Sequence, residues 1–483
     1  MPQTSSTLEP SSAQMLEMVA SAMRQILRYT ETLTEQAAYE PSPPGELAKL
    51  LDEPMPEPGG SLDEALALLF DHLIPKGVNT ASPGSLSYVT GGGIFHAALA
   101  GLISASTNRY VGYWGGAPGM VELESRVIQW FCELIGLPPG SGGVLLTGGS
   151  MANLTALVAA RRDRLDEQFL SGVLYASDQM HHSVKKSAFI AGFPPRQVRS
   201  IPTDASFKIR LDLLAECIER DRADGLHPFC IVANAGSTNT GAVDDLGGLA
   251  GLRDRHKLWL HVDAAYGGFF MLTERGRTAL RGIERADSVT LDPHKSLFLP
   301  FGLGCLLVRE PDALIRAHEV HSDYVSGVAS QAEGTGCHNF ADMSAEMSRE
   351  LRGLKVWLPL KIVGASTFRR YLDEKLDLAE YAAHELRKIA DIDVVAPPEL
   401  SILAFRAQPP GLADEAQDAL NERIMARVNR SRSVHLSPTL LHGRFTIRIC
   451  VLPFRTHRAV IDACLAAVRE AVSEELAAFG ASA

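Results

Sequence analysis

Residues 229–241 read FCIVANAGSTNTG, an unbroken apolar run that stops at an asparagine, a glycine and a cluster of hydroxyls. A strand with one wet face alternates polar and apolar residues. This one does not, so both of its faces are buried. The same form recurs in GGVLLTGG (142–149), GVLYAS (172–177), LWLHVDAA (258–265), SVTLDP (288–293) and GCLLVRE (304–310). Helical stretches such as MVELESRVIQWFCELIG (120–136) and SMANLTALVAARRDRL (150–165) stand between the runs. Short buried strands interleaved with helices predict an α/β fold with a mostly parallel sheet, occupying residues 86–356.

The flanks read differently. Residues 1–85 form a helical arm: a helix from Ala13 to Tyr39, Pro-rich breaks at 40–46 and 52–60, and a second helix opening at Ser61 with Glu64 in capping-box position. Residues 357–483 form a smaller α+β unit, with VHLSPTLLHGRFTIRICV (434–451) supplying two strands. A net charge of -11 excludes a nucleic-acid surface. No apolar run approaches the roughly 18 residues that span a bilayer, so no membrane partner is expected. The amino terminus is polar and lacks the basic and apolar regions of a secretory signal. Cys132, Cys217, Cys230, Cys305, Cys337, Cys450 and Cys464 are scattered without a CxxC pair, as reduced thiols of a cytoplasmic protein are. His181 and His182 have no second ligand pair, so no metal is expected.

In an open parallel sheet, ligands gather beyond the carboxyl ends of the strands. Thr147-Gly148-Gly149-Ser150 follows the first run and opens a helix. It reads as a phosphate cradle or as a tight turn with no ligand. His181, past the second run, is a planar stacker or an ordinary core imidazole. Asn234 to Thr238 follow the third run. Asp263 is a carboxylate at a buried strand end; it faces a cation, such as a pyridinium nitrogen, or caps the next loop. Asp292-Pro293-His294-Lys295 ends the set. Among apolar neighbours, Lys295 reads as a desolvated amine of lowered pKa that can attack an aldehyde, or else as a turn lysine. TGGGIFHA (90–97) is no dinucleotide fingerprint, because His96 stands where the third glycine belongs. Cradle, carboxylate, stacker and buried lysine are the parts that hold pyridoxal 5′-phosphate.

LLTGGSMANLTAL (145–157), SDQMHHSVKKSA (177–188), NAGSTNTGAVDDL (234–246), HVDAAYGGF (261–269) and DPHKSLFLPFG (292–302) together resemble, in order and spacing, the motifs of the group II pyridoxal-dependent decarboxylases. The resemblance runs from about Leu86 to Phe454. It implies fold type I, the aspartate-aminotransferase-like architecture, and a homodimer whose pocket is shared across the interface. It also implies that Lys295 anchors the cofactor, His181 stacks on its ring, Asp263 pairs with the pyridine nitrogen and Ala265 packs beneath. Gly149, Ser150, Asp292 and His294 then surround the phosphate, and Thr238 contacts the cofactor. The reaction implied is loss of carbon dioxide from an L-amino acid. An aminotransferase or carbon–carbon lyase on the same fold is the reading from another class, and a non-catalytic relative is a third.

The segments matching the family's substrate pocket carry Tyr88, Tyr113 and Trp114, beside the glycines 91–93. Aromatic surface and room for a bulky side chain point to an aromatic amino acid, with an acidic or diamino acid as the alternative. Residues 322–343, rich in Gly, Ser and Ala, read as a mobile lid. Counting back from Ser348-Arg349 puts Phe340 where aromatic amino acid decarboxylases carry a proton-donating tyrosine. Phenylalanine donates no proton, so oxidative deamination to an aldehyde is the alternative outcome, with Tyr324, His338, His181 or water left as donors.

Overall fold

The computed structural model describes residues 8–480 except 166, 168, 321–326, 328, 329, 333 and 337. Helix α1 (Ser12–Glu31) starts at Ser11, which exchanges a reciprocal cap with Gln14. It ends well short of the expected Tyr39. Tyr39–Glu40 instead pairs antiparallel with Gly77–Val78, and the Tyr39 ring stacks on His435 at 4.7 Å. The second helix begins where expected, with Ser61 accepting from the Glu64 amide. Arg28 pairs with Asp71 at 2.6 Å and Tyr29 donates to Asn79 at 2.8 Å, which ties α1 to the chain at 61–79.

Helix α2 (Phe95–Thr107) and helix α3 (Pro118–Ile135) lead into the large sheet. Proline at the first position of α3 gives up an N–H that had no partner anyway. Gly136 closes the helix at φ +81°. Its buried face runs Val121, Glu124, Val127, Ile128, Phe131, Cys132 and Ile135, spacing that reads directly as an amphipathic helix.

The large sheet comprises β1 (Gly142–Leu146), β2 (Gly172–Ser177), β3 (Val198–Ile201), β4 (His227–Asn234), β5 (Trp259–Asp263), β6 (Ser288–Leu291) and β7 (Gly304–Val308). Their spatial order is β1-β7-β6-β5-β4-β2-β3. Strand β7 runs antiparallel to both neighbours, and the other pairings are parallel. The edge strand β3 was not foreseen. Its sequence, VRSI, carries Arg199 and is only partly buried, so it lacks the apolar run that marks the others. The main core lies on both faces of this sheet. Helices α4 (Gly149–Arg164) and α5 (His182–Ile190) follow β1 and β2 on the side of the site.

Beyond helix α6 (Gly353–Val363), within which the expected 356/357 division falls, comes α7 (Ala365–Leu386). A second sheet follows: β8 (Ile392–Ala396), β9 (Ile402–Ala407), β10 (Ser437–Leu441) and β11 (Arg444–Cys450), antiparallel throughout in the order β8-β9-β11-β10. Helices α8 (Asp414–Arg430) and α9 (Arg458–Gly480) join α7 in a separate apolar core against it. The expected strands at 434–451 are β10 and β11. Among the described residues no helix is long and apolar enough to cross a membrane.

Candidate active site

The carboxyl ends of β1, β2, β4, β5 and β6 open on one cavity of about 360 Å³. The nine residues expected to hold a cofactor all line it: Gly149, Ser150, His181, Thr238, Asp263, Ala265, Asp292, His294 and Lys295.

At one end is the cradle. Helix α4 begins at Gly149, so its first N–H groups, free of partners within the helix, face the cavity. A Cβ at Gly149 would stand 2.8 Å from Asp292 Oδ2 and 3.3 Å from the Ala265 methyl, so only glycine permits this approach. His294 donates from Nδ1 to the Leu303 carbonyl at 2.7 Å, and its Nε2 lies 3.8 Å from Asp292 Oδ2. Asp292 Oδ1 is buried with no hydrogen-bond partner.

Lys295 Nζ lies 3.0 Å from Asp292 Oδ2. Burial alone pulls the amine down, as the sequence suggested. The carboxylates of Asp292 and Asp263 and the hydrogen bond to Asp292 outweigh it, however, and the amine sits above its ordinary value. The expected lowered pKa is therefore corrected: the strand ends that supply the site's acids also charge its lysine.

Asp263 Oδ1 accepts from the Ala265 amide at 3.2 Å, and Oδ2 accepts from the Asn153 side chain at 2.9 Å. His181 Nδ1 accepts from the Ser183 backbone at 3.3 Å and meets the Ser183 hydroxyl at 2.7 Å. Burial pushes this imidazole below its usual value, helped by His182 and Lys295 and opposed by Asp263, so the ring is neutral at neutral pH. Gly236 sits at φ +98°, and a Cβ there would strike the Tyr266 ring at 2.6 Å. That close packing lets Tyr266 reach Ser401 of the second sheet, with its hydroxyl 2.9 Å from Ser401 Oγ.

The residues expected to meet substrate are placed otherwise. Tyr88, Tyr113 and Trp114 do not line this cavity. Tyr113 is buried, and the Trp114 indole donates to Glu122 at 3.0 Å. Tyr88 is exposed, at φ +52°, and its carbonyl accepts from Arg448 at 2.7 Å. Its loop abuts the lysine turn, because a Cβ at Gly91 would lie 2.3 Å from the Lys295 carbonyl. Phe340 does not line this cavity either. It is 2% exposed, packed in the main core, with the Arg349 guanidinium 4.6 Å above its ring. That guanidinium bonds Glu124 at 2.5 Å and the Leu145 carbonyl at 2.7 Å. Phe340 therefore supports a buried ion pair and does not face the cavity of its own chain. Tyr324 lies outside the described residues, as does much of the expected lid.

Sequence reading missed Asn153 and Ser183 as cavity residues, and gave Asn234 and Tyr266 no role. Asn153 had a visible signal. It is a polar residue one turn into the helix behind the cradle, on the face that packs against the sheet, where an apolar residue is the rule.

Residues 44–408 match the family described as pyridoxal-dependent decarboxylase conserved domain. The chain is 34% identical over 453 residues to an aromatic-L-amino-acid decarboxylase of Bacillus atrophaeus, covering 94% of each. It is 29% identical over 439 residues to a phenylacetaldehyde synthase of Arabidopsis thaliana, covering 88% of this chain and 89% of that one. Its fold superposes on crystalline Oryza sativa TDC with PLP and tryptamine at a TM-score of 0.92, with 26% identity, over 97% of this chain and 99% of the other.

Proposed function

The chain belongs to the pyridoxal-dependent decarboxylases, carboxy-lyases that work with pyridoxal 5′-phosphate, and on that premise we propose that it converts an aromatic L-amino acid to the amine and carbon dioxide. What supports the reading above all is one observation: a cradle, a carboxylate, a neutral imidazole and a lysine drawn from four separate strand ends meet in a single cavity.

The cavity fits the cofactor. The cradle that a Cβ would fill and the first N–H groups of α4 suit a phosphate. When bound, pyridoxal phosphate supplies the sink for the electrons of the breaking carbon–carboxylate bond. The protein does the rest. Gly149, Ser150 and His294 hold the phosphate, and Lys295, tethered by Asp292, supplies the anchoring amine. Asp263 keeps a proton at the pyridine nitrogen by its negative charge. His181, held by Ser183 at Nδ1, presents a flat uncharged face. Thr238 and Ala265 complete the walls.

Aromatic amino acids are the class we propose because the relatives named above act on them or carry their products. Tyr88, on the loop that abuts the lysine turn, is then the aromatic side chain we propose for substrate contact. The product we propose is the amine. The aldehyde alternative rested on Phe340, and that ring is enclosed beneath Arg349. Tyr324 remains the phenol of the 322–343 segment and the candidate donor to Cα. The test is a screen of the proteinogenic amino acids, with carbon dioxide, amine, aldehyde and keto acid identified by mass. Keto acid as the main product would sink the reading in favour of an aminotransferase.

The working unit we propose is a homodimer. Helix α1 exposes Met15, Leu16, Met18 and Val19, and α2 exposes Phe95, Leu99, Leu102 and Ile103 at helical i, i+4, i+7, i+8 spacing. Apolar stripes of this kind seek a partner, and a second copy supplies both. The compartment we propose is the cytoplasm, in keeping with six described cysteines that are all free.

A further inference from the structure

Beneath the cavity floor, β5 and β6 lie side by side with His261 opposite Ser288 and Asp263 opposite Thr290. Alternate residues share a face, so Trp259, His261 and Asp263 point the same way. That face should be apolar where α4 covers it. Instead it carries a buried polar chain closed by Asn153 of α4.

The chain has a direction, and Asp263 dictates it. A carboxylate only accepts, so the Asn153 nitrogen faces Asp263 Oδ2 at 2.9 Å, with Ser183 Oγ at 3.0 Å. The Asn153 oxygen is left to accept, from Thr290 at 2.8 Å and from His261 Nε2 at 3.0 Å. His261 is therefore the tautomer with hydrogen on Nε2, and its Nδ1 accepts from the Ser288 hydroxyl at 2.8 Å. Trp259 Nε1 in turn donates to Ser288 Oγ at 2.8 Å. On the other side, Ser183 gives its proton to His181 Nδ1 at 2.7 Å, the nitrogen that already accepts from the Ser183 amide. Burial pushes His261 down to about 4, so it stays neutral and keeps this pattern.

We infer that Asn153 is a positioning residue for the reaction: its one amide aims Asp263 at the cofactor ring nitrogen and, through Ser183, braces His181. The orientation of that amide is held in turn by the donors of His261 and Thr290, and behind His261 by Ser288. This rests on the assignment of Asp263 to the ring nitrogen. Ser288 does not line the cavity, so it acts on the cofactor through this chain of hydrogen bonds and not by contact.

The experiment loads wild type, Asn153→Asp, Ser288→Ala and Asp263→Ala with pyridoxal phosphate carrying 15N in the ring. The nitrogen chemical shift, which reports protonation without turnover, is then read. Asn153→Asp keeps shape but turns the donor into an acceptor facing Asp263. It is expected to move the signal toward the unprotonated position and weaken cofactor binding tenfold or more, within the range of a lost buried hydrogen bond of about 1–3 kcal/mol. Ser288→Ala frees the His261 tautomer and should move the signal the same way by less. A wild-type shift in both, with Asp263→Ala displaced, overturns the role of Asn153 and leaves that of Asp263 standing. A wild-type shift in Asp263→Ala overturns the assignment beneath it. Should Asn153→Asp fail to fold, Ser288→Ala decides alone.

Discussion

Phe340→Tyr separates two roles for one residue. If the ring faced the reacting carbon, the added phenol would change the products and leave stability alone. The geometry predicts the reverse. The ring is 2% exposed and lies against Arg349, whose Nη2 bonds Glu124 and the Leu145 carbonyl. A hydroxyl added to a ring enclosed in the core must displace its neighbours, and such overpacking costs about 1–3 kcal/mol. Phe340→Ala should cost about 3–5 kcal/mol as a large-to-small core change. The lost cation–π contact adds about 1 kcal/mol more. Urea unfolding measures both variants, and amine, aldehyde and peroxide are counted in air with an aromatic substrate. Amine should dominate in wild type and in Phe340→Tyr alike, whereas Tyr324→Phe should raise the aldehyde share. A Phe340→Tyr protein of wild-type stability with an altered product ratio would falsify the placement of this ring in the core.

Lys295→Ala should give no borohydride-fixed cofactor, checked by intact mass; a persisting adduct means another lysine is the anchor. Asp263→Asn should still take up cofactor but lose most turnover, measured as carbon dioxide released, because the charge that holds the ring proton is gone. Burial pushes Asp244 from 3.8 up to about 6, so between those values the unfolded chain has shed a proton that the folded one keeps. This group therefore makes stability fall as pH rises through that window, by about 3 kcal/mol in full, and Asp244→Asn should remove that descent from a urea-unfolding series. Removal of residues 1–60 should weaken self-association in sedimentation, since it takes away the apolar face of α1; an unchanged dimer refutes the part given to the arm.

The sheet was legible because burial on both faces writes a plain signal. Runs such as CIVA in β4 and VLL in β1 contain no polar residue, and a tight turn follows each. The failures have physical causes as well. Strand β3 sits at the edge, where one face of VRSI meets solvent and Arg199 can pair with Asp221 at 2.6 Å, so the apolar run disappears. The end of α1 was overrun because nothing in residues 32–39 forbids a helix. What stops it is a tertiary contract, the pairing of Tyr39 with Val78 and the stacking on His435. Such contacts lie far apart in the chain and leave no local mark.

The site divides along the same line. Residues that touch the cavity from strand ends were readable one by one, since a polar group just past a buried strand has few other reasons to be there. Counting along the chain placed Phe340 by contour alone, and a count says nothing of which way a ring turns. The missed residues belong to a different kind of logic. His261 was in plain view inside LWLHVDAA, a polar ring in a strand with no wet face. A buried imidazole there requires partners on both nitrogens, and those partners must come from the neighbouring strand and the covering helix. Asn153 and Ser288 fill that demand. Asp263, which only accepts, then leaves the amide one orientation. A misfit in a buried strand thus points beyond itself: the polar residue that breaks the apolar run marks where a second layer must answer it, and in this protein that layer is what holds Asp263 in place.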